Sequence, residues 1–531
     1  MGAFLAPETP AGSHETRFVK NVLWSWAGVF FNLLSGLFLS PYIIHHIGDE
    51  RYGIWALVFS LVEYYGIVDF GFRSAVLKYS SHFRATGETA RMEEVISTAL
   101  VYFSMAAILI FAGSLVLAHN ATRFFRVAPA DAAAFRFLVV TVGIGWALGA
   151  VFNACTAVIE AHQRFDISNR IWIVNNGART LGCFVVIWLG HGLMALGIVV
   201  LAAQLLGYGL TVQALRKLLP SAGLGPRHAT RAAARRMVRY GVRTFVANTS
   251  LMVLNQDAPV LIGHFLSATL TGYWAFPMRL LSYSVELVGR MGMVTGARTA
   301  ELTALGEVKA IGRLAVLVNR YSLTLFLPVA LYLSIFGRQL LQVWINPEFA
   351  RNSAPLLPVL GAGVVIAIAA QYNSSSVLYG LGEHESLARA VLVEAILSLA
   401  GLWYVVPRYG LMAAACIVSG LMIISRGFYV PHAVSRHVGM SYAAYLHQIY
   451  TRPLLIAVPV GAGMWLLNHL AGEPATWTAV LGGGAATAGA YYALAFFHGL
   501  ERPHRDMLTA YVAARLEPLT GARQASGAGV P

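Results

Sequence analysis

Residues 216–243 read RKLLPSAGLGPRHATRAAARRMVRYGVR, with eight Lys/Arg and no Asp or Glu. The stretch also carries the helix breakers Pro220, Gly223, Gly225 and Pro226. Each Arg at the centre of a bilayer costs about 2.5–3.5 kcal/mol on insertion scales, so this segment cannot cross one. It belongs in water or among headgroups, on the cytoplasmic side by the positive-inside rule. Arg231, Arg235 and Arg239 recur every four residues, and a helix here turns one basic face towards anionic lipid. On both sides the chain is apolar, so the basic stretch divides it into two parts.

Working outward, the 531 residues are 57% hydrophobic and only 12% charged, about half the charge of a soluble protein. The chain reads as an all-α polytopic membrane protein. The net charge of +14 sits between apolar runs and marks topology rather than nucleic-acid binding. Cys155, Cys183 and Cys416 lie in apolar runs and share no metal-ligand spacing. Met1 to Thr16 is polar and opens no cleavable signal. The tail after Arg515 is small and polar, a composition that favours disorder.

A crossing needs about 20 mostly apolar residues. About fourteen spans are expected, at 21–46, 52–80, 94–119, 134–161, 170–190, 194–215, 241–266, 272–299, 313–338, 354–380, 387–406, 410–432, 452–471 and 476–498. An even count puts both termini on one side. Seven basic residues then fall on external segments: Arg51, Arg123, Arg126, Arg136, Arg338, Arg351 and Arg408. Five fall inside spans: Arg73, Arg179, Arg279, Arg290 and Arg320. The rest are cytoplasmic, which places both termini there.

The two parts also resemble each other. Tyr52-Gly-Ile-Trp-Ala56 matches Thr271-Gly-Tyr-Trp-Ala275 at an offset of 219. Residues 161–170 fall opposite 380–389 at the same offset, and Gly192-Leu-Met-Ala195 recurs as Gly410-Leu-Met-Ala413 at 218. Each copy holds six spans, so the copies run parallel, about an axis along the membrane normal. The expected organisation is an N-lobe at 17–215, a basic linker at 216–240, a C-lobe at 241–432, a link at 433–451, two added spans at 452–498 and a cytoplasmic tail at 499–531. Two parallel six-helix lobes suit an alternating-access transporter.

Ionisable residues inside spans are costly and are functional candidates by default. Span 2 holds Glu63, Asp69 and Arg73, the last two four apart on one helical face. Span 8, its repeat mate, holds Arg279, Tyr283, Glu286 and Arg290 on one stripe, because steps of seven and eleven return to within about 20°. The two Arg outnumber Glu286, and surplus buried positive charge needs an anionic partner. Arg179, Arg298 and Arg320 are read as having no acid at helical spacing. Another helix can supply one, or a phosphate can, since the guanidinium fork binds phosphate in bidentate fashion. Asp257 lies in Asn255-Gln-Asp-Ala-Pro259, a kinked polar stretch suited to a cation or a sugar hydroxyl. Asp69, Asp257 and Glu286 are the carboxylates placed to carry H⁺ or Na⁺. Neither HExxH nor GxSxG occurs, and no glycine-rich phosphate loop opens a helix. Neither an enzyme nor a bound cofactor is indicated.

Pro41-Tyr-Ile-Ile, Ile47-Gly-Asp-Glu-Arg-Tyr-Gly-Ile-Trp55, Val68-Asp-Phe-Gly-Phe-Arg73 and Lys78-Tyr-Ser-Ser81 resemble the opening of polysaccharide flippases. These belong to the multidrug/oligosaccharidyl-lipid/polysaccharide exporter superfamily. The resemblance continues through Ala161 to Arg170, Asp257 and Gly272-Tyr-Trp274. It implies two six-helix lobes in a V, and movement of an undecaprenyl-pyrophosphate-linked oligosaccharide across a bacterial inner membrane. The extra helix pair suits flippases in which it contacts the lipid tail. Arg73, Arg179, Arg279, Arg290, Arg298 and Arg320 are then candidates for the anionic head group. Expected partners are the lipid-linked glycan, H⁺ or Na⁺, membrane lipids, and polymerase and export proteins. The alternatives are a cation-coupled drug exporter of the same fold and a membrane polymerase acting on lipid-linked glycans. The in-span balance leans basic, which disfavours the first, and short external loops disfavour the second.

Overall fold

A computed structural model describes residues 31, 33–219, 225–507 and 509–510. Every regular element among them is helical. In lipid each backbone polar group must be satisfied within the chain, and helices achieve this segment by segment. The elements are α1 (Leu33–Ile47), α2 (Asp49–Glu63), α3 (Phe72–Thr86), α4 (Thr89–Phe124), α5 (Ala132–Ala161), α6 (Phe165–Trp188) and α7 (Leu193–Leu218). After the basic stretch come α8 (Arg231–Phe265), α9 (Ala268–Ala304), α10 (Val308–Trp344), the short α11 (Pro347–Ser353), α12 (Leu356–Ala367), α13 (Asn373–Leu381), α14 (His384–Met422), α15 (Val430–His437), α16 (Tyr442–Leu470) and α17 (Trp477–Leu494). Nine helical segments among the described residues are long and apolar enough to cross a membrane, or ten if the bent α2–α3 pair counts as one crossing. The protein is a multi-pass membrane protein. The beginning of the first expected span, residues 21–30, lies outside the described residues.

Short polar residues set many helix starts. Thr230, Ser267, Asn346, Ser441 and Thr476 each accept a backbone N–H from the first turn of α8, α9, α11, α16 and α17. Such caps satisfy donors that have no partner inside the helix. Because Thr230 caps α8, the basic run from Arg231 to Arg243 is a helical extension of the apolar segment that follows.

Several expected spans are distorted. The second breaks after Glu63 into a 3₁₀ turn, Tyr64–Asp69, followed by Phe70 and Gly71 at positive φ, and the two helices meet at a 46° bend. The tenth changes to a π-turn at Ile368–Tyr372 between α12 and α13. α14 runs unbroken through the eleventh and twelfth spans except at Gly410, whose φ of 72° and ψ of −156° are not helical. A Cβ on Gly401 would lie 3.1 Å from the Ile417 side chain. Sixteen residues of straight helix span about 24 Å, so the chain folds back on itself at Gly410.

The first half meets the second chiefly where α2 packs on α9 and on α8, with α3 and α4 also against α8. A Cβ on Gly53 would lie 1.9 Å from the Ala268 carbonyl oxygen, and one on Gly272 would lie 3.1 Å from Gly53 Cα. At this end of the bundle Asp49 accepts hydrogen bonds from Tyr273 Oη (3.1 Å) and Asn346 Nδ2 (2.9 Å). The Arg126 N–H donates to the Gly263 carbonyl, and the Ala268 N–H donates to the Arg126 carbonyl, each at 3.2 Å. At the other end the bridge runs through α8 and the turn before it, by the Phe70–Phe245 stack, the Gly71–Gly241 approach, Lys78 over the Tyr240 ring and the Gly225 N–H donating to Ser97 Oγ at 3.3 Å. The added helices α16 and α17 pack on α10. Fully buried Asn319 donates to Tyr445 Oη and Ser374 Oγ, both at 2.9 Å, and Gln339 donates to Asn468 Oδ1 at 3.2 Å.

Candidate functional site

Between the halves, α1, α2, α6, α8 and α9 contribute one polar group of residues. Arg279 of α9 keeps accessible surface although it stands deep among the helices. It lies against the Tyr283 ring, 5.9 Å from the centroid. Gly36 of α1 permits this, because a Cβ there would meet Tyr283 Oη at 1.9 Å and Arg279 Nε at 3.5 Å. Tyr52 and Ser40, hydrogen-bonded to each other, face the same guanidinium. Glu63, also accessible among the helices, accepts a hydrogen bond from Gln256 Nε2 and feels the charge of Arg279. Arg179 of α6 is partly buried, its Nε has no hydrogen-bond partner, and it too feels the charge of Arg279. Two guanidiniums, one from each half, therefore feel each other's charge, with the carboxylates of Glu63 and Glu286 in the same region. Their repulsion is relieved by an anion between them. Glu286 is exposed and interacts electrostatically with Arg279.

Other sequence candidates fall elsewhere. Asp69 and Arg73 do not form the expected side-chain pair. The Arg73 backbone N–H donates to Asp69 Oδ1 (3.1 Å), while its guanidinium binds both carboxylate oxygens of Glu160 at 2.8 and 2.9 Å. The 3₁₀ turn and the positive φ of Phe70 remove the helical register that the pairing assumed. Arg298 is exposed and pairs at 2.6 Å with Glu301, an acid at helical spacing after all. Arg320, 5% exposed, is bonded to Glu501 beyond α17. Arg290 lies on α9, but its side chain is outside the described residues. Asp257 is buried on α8; Oδ1 accepts the Ala258 N–H at 2.7 Å, Oδ2 meets no hydrogen-bond partner, and Ser398 and Glu394 stand beside it.

The sequence reading passes over Glu160, Glu394 and Arg426. Arg426 counts there as a cytoplasmic flank, yet it is buried and binds Glu394 through Nε at 3.0 and 3.3 Å. The available signal was an acid in the middle of the eleventh span and a base in the twelfth. No group of three or more His, Cys, Asp or Glu among the described residues is arranged to hold a metal.

Comparison with known proteins gives three findings. The family described as polysaccharide biosynthesis protein matches residues 18–295. A putative O-antigen transporter of Shigella flexneri is 22% identical over 406 residues, covering 75% of this chain and 93% of its own. Among solved structures, the lipid II flippase MurJ in an inward closed conformation superposes with a TM-score of 0.70 at 12% identity, covering 92% of this chain and all of that one. An inward-facing multidrug resistance MATE family transporter of the MOP superfamily gives 0.66 at 11% identity, covering 78% and 96%. At these identities the structures show a common fold.

Proposed function

The chain belongs to the polysaccharide biosynthesis protein family, and from that premise we propose that it is a flippase for a lipid-linked oligosaccharide. The observation that carries this reading is the pair of guanidiniums, Arg179 and Arg279, which come from opposite halves and feel each other's charge. A pyrophosphate head fits that charge and the bidentate fork. The polysaccharide family match and the relative named as an O-antigen transporter favour this reading over the drug-exporter alternative. The relatives named as a transporter and a flippase support transport rather than enzymatic chemistry.

In this reading the protein spans a bacterial inner membrane about fourteen times, with both termini in the cytoplasm and two parallel six-helix lobes preceding α16 and α17. Gly53 and Gly272 stand one repeat apart and touch, as residues on a two-fold axis relating the copies must. The end bearing Asp49, Tyr273 and Asn346 is external and closed, and the cytoplasmic end receives the substrate. The carrier is undecaprenyl pyrophosphate, whose tail remains in lipid while the glycan crosses between the lobes. The anionic head leaves a negative interior, so the membrane potential assists export by about 2.3 kcal/mol per charge per 100 mV. Coupling to H⁺ or Na⁺ resets the cycle, with Asp257 the buried carboxylate and Asp69 and Glu286 the other candidates. Polymerase and export proteins act on the delivered glycan.

Deleting the gene and extracting the lipids tests the reading. A polyprenyl-linked repeat unit should accumulate and surface polymer should disappear. Arg279→Ala should reproduce the defect with the protein still in the membrane, and Arg279→Lys should restore it only partly. Export undiminished in both Arg179→Ala and Arg279→Ala would refute the anion site.

A further inference from the structure

Three charged side chains are buried together in the second half, where α8 also faces the turn after α2. Asp257, Glu394 and Arg426 are 1%, 3% and 7% exposed. They come from α8, from the first arm of α14, and from the π-turn Ile423–Tyr429 that follows the second arm. Beside them lies a cavity of about 100 Å³, lined in part by Asn255, Ser282, Tyr372, Glu394, Ser398 and Arg426. Glu394 and Arg426 neutralise each other. Asp257 is the third charge, and its Oδ2 has no hydrogen-bond partner. The titratable groups facing it from neighbouring elements are Glu394 of α14 and Tyr64 of the turn after α2. Arg426 binds Glu394, which faces Asp257.

With Asp257 ionised the cluster carries one net negative charge, and a buried uncompensated charge is strongly unfavourable. One added positive charge balances it. A metal ion would enter a cavity already lined by a guanidinium, and like charges at close range repel strongly where water is scarce. A proton adds the charge on Oδ2 itself and needs no coordination sphere. The π-turn is what places Arg426 here, and such turns often mark functional sites.

We propose that Asp257, Glu394 and Arg426 form a site that takes one proton on Asp257 and excludes Na⁺, Arg426 serving as a cation already in place. This deepens the transport reading by naming the coupling ion, and it rests on that reading only for the use made of the proton. Binding is tested on the purified full chain in nanodiscs, without substrate, by infrared difference spectroscopy between acidic and alkaline buffer. A protonated-carboxyl band should be present in the wild type, absent in Asp257→Asn, and unaffected by NaCl at fixed pH. A band that survives in Asp257→Asn, or one that NaCl abolishes in the wild type, overturns the proposal. Arg426→Gln alone would strand Glu394, so the paired variant Glu394→Gln/Arg426→Gln is the second probe. It should keep the band and now lose it to NaCl; a band still insensitive to NaCl would show that Arg426 is not what excludes the metal. Failure of lipid accumulation in the deletion strain would leave this result untouched, so the two readings fail separately.

Discussion

Replacing Gly53 by Ala adds one methyl group at a close backbone contact between the halves. Its Cβ would stand 1.9 Å from the Ala268 oxygen, 2.5 Å from the Ala268 carbonyl carbon and 2.9 Å from Thr269 Cα. All are backbone atoms, so no side chain can swing aside, and α2 and α9 must separate by about 1.5 Å to regain the usual 3.5 Å carbon contact. Overpacking of this kind costs about 1–3 kcal/mol. Only the state in which this end is closed bears the cost, so the population should shift roughly 5- to 150-fold towards the open state. Thr269→Cys, in a background with the exposed Cys416 replaced by Ser, reports that opening through a membrane-impermeant thiol reagent. Gly53→Ala should raise its labelling rate. Gly272→Ala, with its nearest approach at 3.1 Å, should do so less. Gly113→Ala, with nothing within 4 Å, should leave the rate unchanged. Equal labelling in all three would refute the argument that this contact closes a gate.

The Arg73–Glu160 pair joins α3 to α5 with about a third of the Arg exposed, so a double-mutant cycle with Ala should give a coupling of about 1 kcal/mol in thermal unfolding. Arg320 holds the Glu501 carboxyl below its ordinary value of 4.5. That contribution to stability is complete above about pH 4.5 and is lost as the pH falls through the lower folded value, so Glu501→Gln should flatten the acid-side fall in Tm. A variant with the same acid-side slope as wild type would show that the pair does not hold in solution. Ser267→Ala removes the cap of α9 and should cost about 1 kcal/mol, read as a lower Tm.

Apolar length and basic loops make most of the helices legible, because hydrocarbon forces each crossing to declare itself locally. The distortions are less so. Gly71 hints at the break in the second span, but Phe70 at positive φ belongs to no local pattern. Gly410 and Pro407 are visible as breakers, and the short interval between the eleventh and twelfth spans requires the hairpin. Charge partners are the least legible. Arg73 chooses Glu160 over Asp69, and Arg426 chooses Glu394, because helix packing decides which acid is in reach. Arg179 stood out as a base without an acid at helical spacing, and Arg279 as one of two Arg outnumbering Glu286 on their stripe; that the two feel each other's charge follows from the tertiary arrangement, which no spacing in one chain encodes.

The link from Arg320 to Glu501 has a consequence for how the chain is made. The partners lie 181 residues apart, so at about 5–20 residues per second the ribosome needs roughly 10–40 s to deliver the carboxylate after the guanidinium. Throughout that interval α10 sits in the bilayer with an unneutralised Arg, while Asn319 gains Ser374 early and Tyr445 later, and Gln339 waits for Asn468. An isolated Arg at mid-membrane costs about 2.5–3.5 kcal/mol on insertion scales. The nascent protein therefore passes through a vulnerable stage that ends only when α16, α17 and the segment after them dock. A chain cut before α16 would be held at that stage permanently. The pair α16 and α17 is then expected to be needed for biogenesis, and a quality-control protease should distinguish the truncated from the complete chain.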